Sequence, residues 1–279
     1  MKHNFSKGEK TIMCVLLIGV LLSVLFFKTF KKDVENFDSN KNYLEGIDVI
    51  YWINLDRSHE RRQSMESLFS DAAFNDIASI QRFPAIDGKT VDVFSYFEPS
   101  EKENPKLNNV EYACLVSHLE VLKEFSHSSN ELALIMEDDM TLEFQQHWTK
   151  TVKEITEEAP SDWEVIQLCY NNQEGDIELL YNSYRPCCAA YVVNKKSALK
   201  LINFLTENGV YNLKKHVNAP YMHADHFIFT YFKTYCYKYP MFIYGNDNDS
   251  LLHSDDLPGH IKSKQKIVEM YKTRERVPN

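Results

Sequence analysis

Leu132-Ala-Leu-Ile-Met136, followed at once by Glu137-Asp138-Asp139, constrains this chain more than any other stretch. An unbroken apolar run of that length suits a strand covered on both faces, as in a parallel sheet. Three adjacent carboxylates at its end repel one another and need water or a cation to be tolerated. Hard oxygen donors of this kind suit magnesium or manganese. Open α/β sheets bind ligands at the carboxyl ends of their strands. The stretch therefore predicts a divalent-metal site, carrying a phosphate-bearing ligand, at the carboxyl edge of a sheet. A solvated acidic turn is the alternative that the triplet alone leaves open.

The rest of the chain supplies a domain around that strand. It has 279 residues, 44% hydrophobic and 25% charged, with only 8 Gly and 9 Pro, which is a globular rather than a disordered composition. The length allows one large domain or two small ones. Net charge is -9, and residues 1–32 hold six Lys against one Glu, so the acidic excess lies beyond them. That balance argues against a general nucleic-acid binder. None of the six cysteines forms a C-x-x-C pair, which argues against zinc. Cys114 and Cys169 sit in apolar contexts and read as core residues. Vicinal Cys187 and Cys188 leave open a bridge from one of them to Cys236 in an oxidising compartment.

Thr11–Phe27 is an uncharged run of 17 residues, with Lys7 and Lys10 before it and Lys28, Lys31 and Lys32 after it. As a helix it spans about 25 Å, and flanking lysines and Phe30 extend its reach. It lacks the small-residue cleavage site of a signal peptide. The expectation is a short tail over 1–10, an uncleaved membrane anchor over 11–30, a polar stalk over 31–46 and a folded domain over 47–279. With Lys2 counted, three lysines lie on each side of the run, so charge does not set its orientation. Cys14 within it is read as inert, with palmitoylation the alternative.

Strand signals cover Ile47–Leu55, Ile80–Ile86, Trp163–Cys169, with a polar break at Gln167, Ala189–Asn194 and Met241–Tyr244. Helical spacing covers Glu60–Phe69, Glu111–Phe125, Phe144–Glu157 and Lys196–Asn208, the last stopped by Gly209. Asp56 or Ser58 is the expected cap of the first of these helices. Val91–Asn109 reads as an irregular loop, and the residues after Tyr244 as a turn-rich tail carrying Asp247, Asp249, His253, Asp255 and Asp256. The alternation predicts an α/β fold on a mostly parallel sheet. Arg57, Arg61 and Arg62 cluster where the first strand turns into a helix, a setting for phosphates, although a solvated helix face with Glu–Arg pairs has the same spacing.

Several blocks then resemble a known family. I-Y-W-I-N-L-D-R-S-H-E-R-R (Ile50–Arg62), F-P-A-I-D-G-K (Phe83–Lys89), E-Y-A-C-L-V-S-H (Glu111–His118), A-L-I-M-E-D-D (Ala133–Asp139), D-W-E-V-I (Asp162–Ile166), A-Y-V-V-N-K-K-S-A-L-K-L (Ala190–Leu201) and A-D-H-F (Ala224–Phe227) are similar, in order, to the motifs of glycosyltransferase family 25. That family includes lipooligosaccharide and collagen β-galactosyltransferases. Val110 and Ala113 stand where the family carries glycines around Glu111.

The resemblance implies a GT-A-like α/β fold, a mostly parallel sheet with helices on both faces, which here would follow the one transmembrane helix read from the apolar run. It implies inverting transfer of a hexose, galactose or else glucose, from a UDP-hexose to the hydroxyl of a glycan, lipid-linked or protein acceptor, with Mn2+ or Mg2+. Glu137, Asp138 and Asp139 would hold the metal, and Asn54, Arg57, Arg61, Arg62, Ser117 and His118 would lie at the donor. Asp225 would be the general base, with Glu111 the rival and His253 an additional metal ligand. By likeness to other anchored transferases, the topology would be type II with the domain in the secretory lumen; the sequon Asn248-Asp-Ser250 lies on that side. A non-catalytic glycan- or partner-binding relative and a metal-dependent phosphoester hydrolase are the competing classes.

Overall fold

The computed structural model describes residues 37–103, 105–172, 178–216, 222–245 and 257–276. The apolar run Thr11–Phe27, the sequon at Asn248 and the tail residues Asp247, Asp249, His253, Asp255 and Asp256 lie outside them. No helix among the described residues is long and apolar enough to cross a membrane.

In chain order the elements are β1 (Val49–Asn54), α1 (His59–Leu68), β2 (Ile80–Pro84), α2 (Pro99–Glu103), α3 (Asn109–His127), β3 (Leu132–Glu137), β4 (Met140–Thr141), α4 (Val152–Glu158), β5 (Val165–Gln167), β6 (Tyr181–Ser183) and β7 (Ala190–Asn194). Then follow α5 (Lys195–Leu205), β8 (Thr206–Glu207), β9 (Val210–Tyr211), α6 (Ala224–Tyr231), β10 (Thr234–Tyr237), β11 (Ile243–Tyr244) and α7 (Leu257–Arg276). Seven strands form the central sheet in the order β2-β1-β3-β7-β5-β10-β6. Five of them point one way, while β7 and β6 run against their neighbours.

The alternation of side chains along each strand builds two cores. Val49, Tyr51 and Ile53 of β1 and Ala133 and Ile135 of β3 pack with Leu115, Leu119 and Leu122 of α3, Leu201 of α5 and Phe227 of α6. Ile50 and Trp52, with Leu134 and Met136, face Met65 of α1, Ile155 of α4 and Ile267 and Tyr271 of α7. Helices therefore cover both faces, and β1 and β3, buried on both sides, had to be apolar throughout.

Some elements differ from the sequence reading. Phe144–Glu157 is not one helix: Trp148 is extended, with its indole Nε1 donating to Met241 O at 2.9 Å, and Thr151 restarts the chain with a capping box to Glu154. The loop after Val91 contains α2, whose buried Glu101 accepts from Tyr112 OH. Ser58, not Asp56, is the cap position of α1, and its side chain makes no capping bond. The tail after Tyr244 includes the long helix α7.

The polar break at Gln167 has a purpose. Its buried side chain donates to Arg185 O and Cys187 O and accepts from Arg185 N, at 2.8–2.9 Å. That clamp pins the link that leads into β7, which runs antiparallel between β3 and β5.

Candidate active site

β1 and β3 are parallel neighbours with Ile53 opposite Glu137, so Asn54 and Asp138 emerge together at the carboxyl edge. Asn54 Nδ2 donates to Asp138 Oδ2 at 2.6 Å, and Arg61 Nη1, from the first turn of α1, donates to Asp138 Oδ1 at 2.7 Å. Asp138 is 7% exposed with both oxygens engaged. Arg82 of β2, which sequence reasoning passed over, orients Asn54: its Nε donates to Asn54 Oδ1 at 2.9 Å and its Nη2 to Asp56 Oδ1 at 2.6 Å. A lone arginine inside an otherwise strand-like I-Q-R-F-P was the available signal.

Asp139 is less satisfied. Arg61 lies 3.6 Å from its Oδ2, while its Oδ1 is buried without a hydrogen-bond partner. Burial, and then the charge of Glu137, push its carboxyl up to about 7. An unpaired buried carboxylate oxygen costs about 1–3 kcal/mol, a cost that a bound cation removes.

Glu137 sits on the other side of the strand end. Its Oε1 lies 3.3 Å from His118 Nε2 and accepts from Cys188 Sγ at 3.3 Å. His118 Nδ1 lies 3.1 Å from Tyr191 OH. Cys114 stands one turn before His118 on α3, and the ligand atoms of Cys114, His118 and Glu137 all lie within 4.8 Å of one another. Burial disfavours charge on His118, but Cys114 and Glu137 outweigh it and lift the imidazole to about 9. Cys188 draws the Cys114 thiol down to about 7 against burial. Burial likewise opposes charge on Glu137, and His118 reverses it, holding the carboxyl below its ordinary range.

Two clefts meet at this wall. The larger, of about 410 Å³, is lined by the triplet, Arg61, Cys114, Glu111, Asp225, His223, Cys187, Cys188, Tyr244 and His260, among others. The smaller, of about 130 Å³, shares the triplet, Arg61 and Cys114 and adds Arg57, Asp87, Gly88, Ser117 and His118. The expected site residues are thereby sorted. Both base candidates lie in the larger cleft and most donor-side residues in the smaller, while Arg62, 3.9 Å from Asp56, and buried Asn54 line neither.

Individual roles sharpen further. Arg57 Nε donates to Asp87 Oδ2 at 2.6 Å, which with the backbone of Lys89 holds that carboxyl below its usual range. Gly88 beside it is required, because a Cβ there would lie 2.3 Å from Asn109 O at the start of α3. Ser117 Oγ donates to Ala113 O and accepts from Ile86 N, tying that same turn to α3.

Glu111 does cap α3, its Oε2 accepting from Asn108 N at 2.8 Å, while its Oε1 lies 3.2 Å from His223 Nε2. Asp225 Oδ2 accepts from Cys187 N at 2.9 Å and its Oδ1 from His226 N at 2.7 Å. Cys187 has φ 97, a left-handed conformation that costs a non-glycine residue on the order of 1–3 kcal/mol. Asp225 and Gln167 hold it there from its two sides. All five described cysteines are free thiols, so neither Cys187 nor Cys188 is bridged to Cys236. The far wall of the larger cleft belongs to the tail: Gly245 N donates to Asp139 O at 2.8 Å, and Tyr244 OH to His260 O at 3.1 Å.

Comparison with known proteins fits this frame. The model of "Glycosyltransferase family 25 (LPS biosynthesis protein)" matches residues 47–228. A glycosyltransferase 25 family member of Drosophila melanogaster is 27% identical over 173 residues, covering 56% of this chain and 28% of its own. Procollagen galactosyltransferase 1-B of Xenopus laevis is 24% identical over 176 residues, covering 56% and 28%. This chain thus spans little more than a quarter of the length of these relatives. A crystal structure of a glycosyltransferase involved in glycosylating the major capsid of PBCV-1 aligns with a TM-score of 0.33 and 10% identity, over 57% of this chain and 64% of that one; so distant a likeness adds nothing to the family match.

A carboxyl-edge site on a mostly parallel sheet is the setting of a ligand-binding α/β protein. The chain belongs to glycosyltransferase family 25.

Proposed function

We propose that this protein is a GT-A-like, metal-assisted transferase that moves a hexose from a UDP-sugar to an acceptor hydroxyl with inversion. The observation that carries this reading is the acidic strand end. It lies inside the family-matched region, forms the wall shared by both clefts and leaves one buried carboxylate oxygen, Asp139 Oδ1, without a partner. That orphan oxygen, beside the other carboxylates of the triplet, fits a hard divalent ion such as Mn2+ or Mg2+. Asp139 would lead its binding, with Glu137 beside it and Asp138 holding Arg61 in place. Bound there, the ion would neutralise charge developing on the leaving diphosphate.

The chain's own groups supply the rest. Arg61, between Asp138 and Asp139, brings a fixed positive charge to the seam of the two clefts. The smaller cleft is too small for a whole UDP-hexose, so the sugar and diphosphate belong against the triplet in the larger one. There the acceptor hydroxyl meets Asp225, whose carboxylate is oriented by two backbone N–H groups and takes its proton. Glu111 is the alternative base, and its pairing with His223 and its capping bond give it the stronger structural role. Galactose is the favoured sugar, since relatives of this chain carry that name. Anchoring through Thr11–Phe27, with the domain in the secretory lumen, completes the proposal.

The test is an acceptor-dependence assay with purified full-length chain, UDP-galactose or UDP-glucose, Mn2+ and a panel of glycan, lipid-linked and peptide acceptors. Transfer is expected to require acceptor and to fall by about 10²–10⁴ in Asp225→Asn, with a smaller loss in Glu111→Gln. Release of free sugar at the same rate without any acceptor would establish hydrolysis instead.

A further inference from the structure

The donor atoms on the Glu137 side of the wall are of a different kind from those at Asp139. Cys188 Sγ, His118 Nε2 and Glu137 Oε1 form a nearly equilateral triangle with edges of 3.4, 3.3 and 3.3 Å. Cys114 completes the group from α3, its Sγ within 4.8 Å of the His118 and Glu137 ligand atoms. A tetrahedral zinc ion bonds sulfur, nitrogen and oxygen at about 2.0–2.3 Å, which places its ligand atoms roughly 3.3–3.8 Å apart. The three edges among Cys188, His118 and Glu137 match one face of such a tetrahedron, with Cys114 near as the fourth donor.

Two further features belong to a metal site rather than to a fortuitous triangle. His118 has a fixed outer partner, because Tyr191 OH engages Nδ1 and leaves Nε2 facing the cluster. Cys188 is aimed there by a strained neighbour, Cys187 at φ 97, held by Asp225 and by Gln167. There is also a route in, since Cys114 and Glu137 line both clefts.

We propose that Cys114, His118, Glu137 and Cys188 form a zinc site that braces the wall between the two clefts. The four ligands come from α3, the end of β3 and the chain two residues before β7. The ion would therefore add a covalent-strength tie between three elements already joined by the β3–β7 ladder and the packing of α3. The protons of both thiols and the Nε2 proton of His118 leave on binding, so that Cys114 and Cys188 become thiolate ligands and His118 a neutral one. The sequence hides the site because Cys188 and Glu137 lie far along the chain from Cys114-x-x-x-His118, and no C-x-x-C pair signals it. In this inference Glu137 serves the zinc and leaves Asp139 to lead the Mn2+ or Mg2+ site, and the cobalt spectrum tests it separately from the transfer assay.

The test uses reduced, full-length protein stripped of metal and titrated with Co2+ and then Zn2+. We expect a single equivalent of Co2+ to give intense thiolate-to-cobalt charge-transfer absorption and the strong visible bands of a four-coordinate ion. Zn2+ should displace it and raise the melting temperature. Both signals should vanish in Cys114→Ser and in Cys188→Ser and persist in Cys236→Ser. Three results would overturn the proposal: folded wild-type protein giving no thiolate charge transfer, cobalt absorption surviving both serine substitutions, or peptide mapping of the protein as isolated finding Cys114 and Cys188 joined as a disulfide. Because the wild-type spectrum alone decides the first of these, the test holds even if a serine variant fails to fold.

Discussion

Glu137 and Asp139 are two residues apart in one motif, yet they occupy unlike environments. Glu137 faces sulfur and imidazole, with two neighbours at 3.3 Å and its carboxyl held below its usual range. Asp139 faces Arg61 and an open cleft, with one oxygen buried and unpartnered and its carboxyl pushed up to about 7. Asp138 between them is fully engaged by Asn54 and Arg61. The difference teaches that an acidic triplet at a strand end need not act as a unit. β3 ends at Glu137 and the chain turns at Asp138 and Asp139, so the three side chains leave the strand end toward different partners, and one motif combines a structural carboxylate, a bracing one and one left for a ligand.

The sharpest way to break this contrast is at the active end. Asp139→Asn should lower sugar transfer by at least about 10²-fold, the scale of losing electrostatic stabilisation at a leaving group, as measured by initial rates at saturating Mn2+. The metal-free variant should nevertheless be more stable than the natural chain above pH 7. A carboxyl raised from its ordinary value to about 7 contributes stability at low pH that is lost as pH rises through 7, and the amide has no such loss. Thermal melts of both proteins, without metal, at pH 6 and pH 8 check this.

Next in size is Arg61→Ala. It leaves Asp138 charged, buried and without its cation, so unfolding free energy should fall by about 3–5 kcal/mol in denaturant titrations. Asp138→Asn, which keeps Asn54 and Arg61 a hydrogen-bonding partner, should fall by much less.

The smallest effect separates the bracing side. His118 is raised from 6.5 to about 9, so in the metal-free chain its contribution is complete below pH 6.5 and is lost as pH rises through 9. The slope of stability against pH in that window should be at most about 1.4 kcal/mol per pH unit. Glu137→Gln should flatten it. An unchanged slope would show that His118 and Glu137 are not coupled.

Much of the frame was legible in the sequence, for physical reasons. β1 and β3 are buried on both faces, which their apolar runs anticipated, and the carboxylates that end β3 pointed to the edge where the two clefts meet. Glu111 and Asp225 were found through family motifs and do line one cleft. The arginines were legible only as a cluster, because their partners are remote: Asp87 for Arg57, Asp138 for Arg61, Asp56 for Arg62. Arg82 and Gln167 were illegible as site builders, since each is a single polar residue within a strand whose role depends on chain folded beside it. The direction of β7 could not be read either, because it depends on which strands lie beside it in the folded sheet. The helix α7 escaped notice because its polar sequence buries only scattered residues such as Ile267 and Tyr271.

The central claim is that Asp139 anchors a metal-dependent nucleotide-sugar site. The most direct measurement is calorimetric titration of the full-length chain with UDP-galactose and UDP-glucose, with and without Mn2+, alongside Asp139→Asn. The account predicts binding that requires Mn2+, prefers one of the two sugars and disappears in the variant. Folded protein that binds neither UDP-sugar in the presence of Mn2+, or binds them equally well without Asp139, would contradict it.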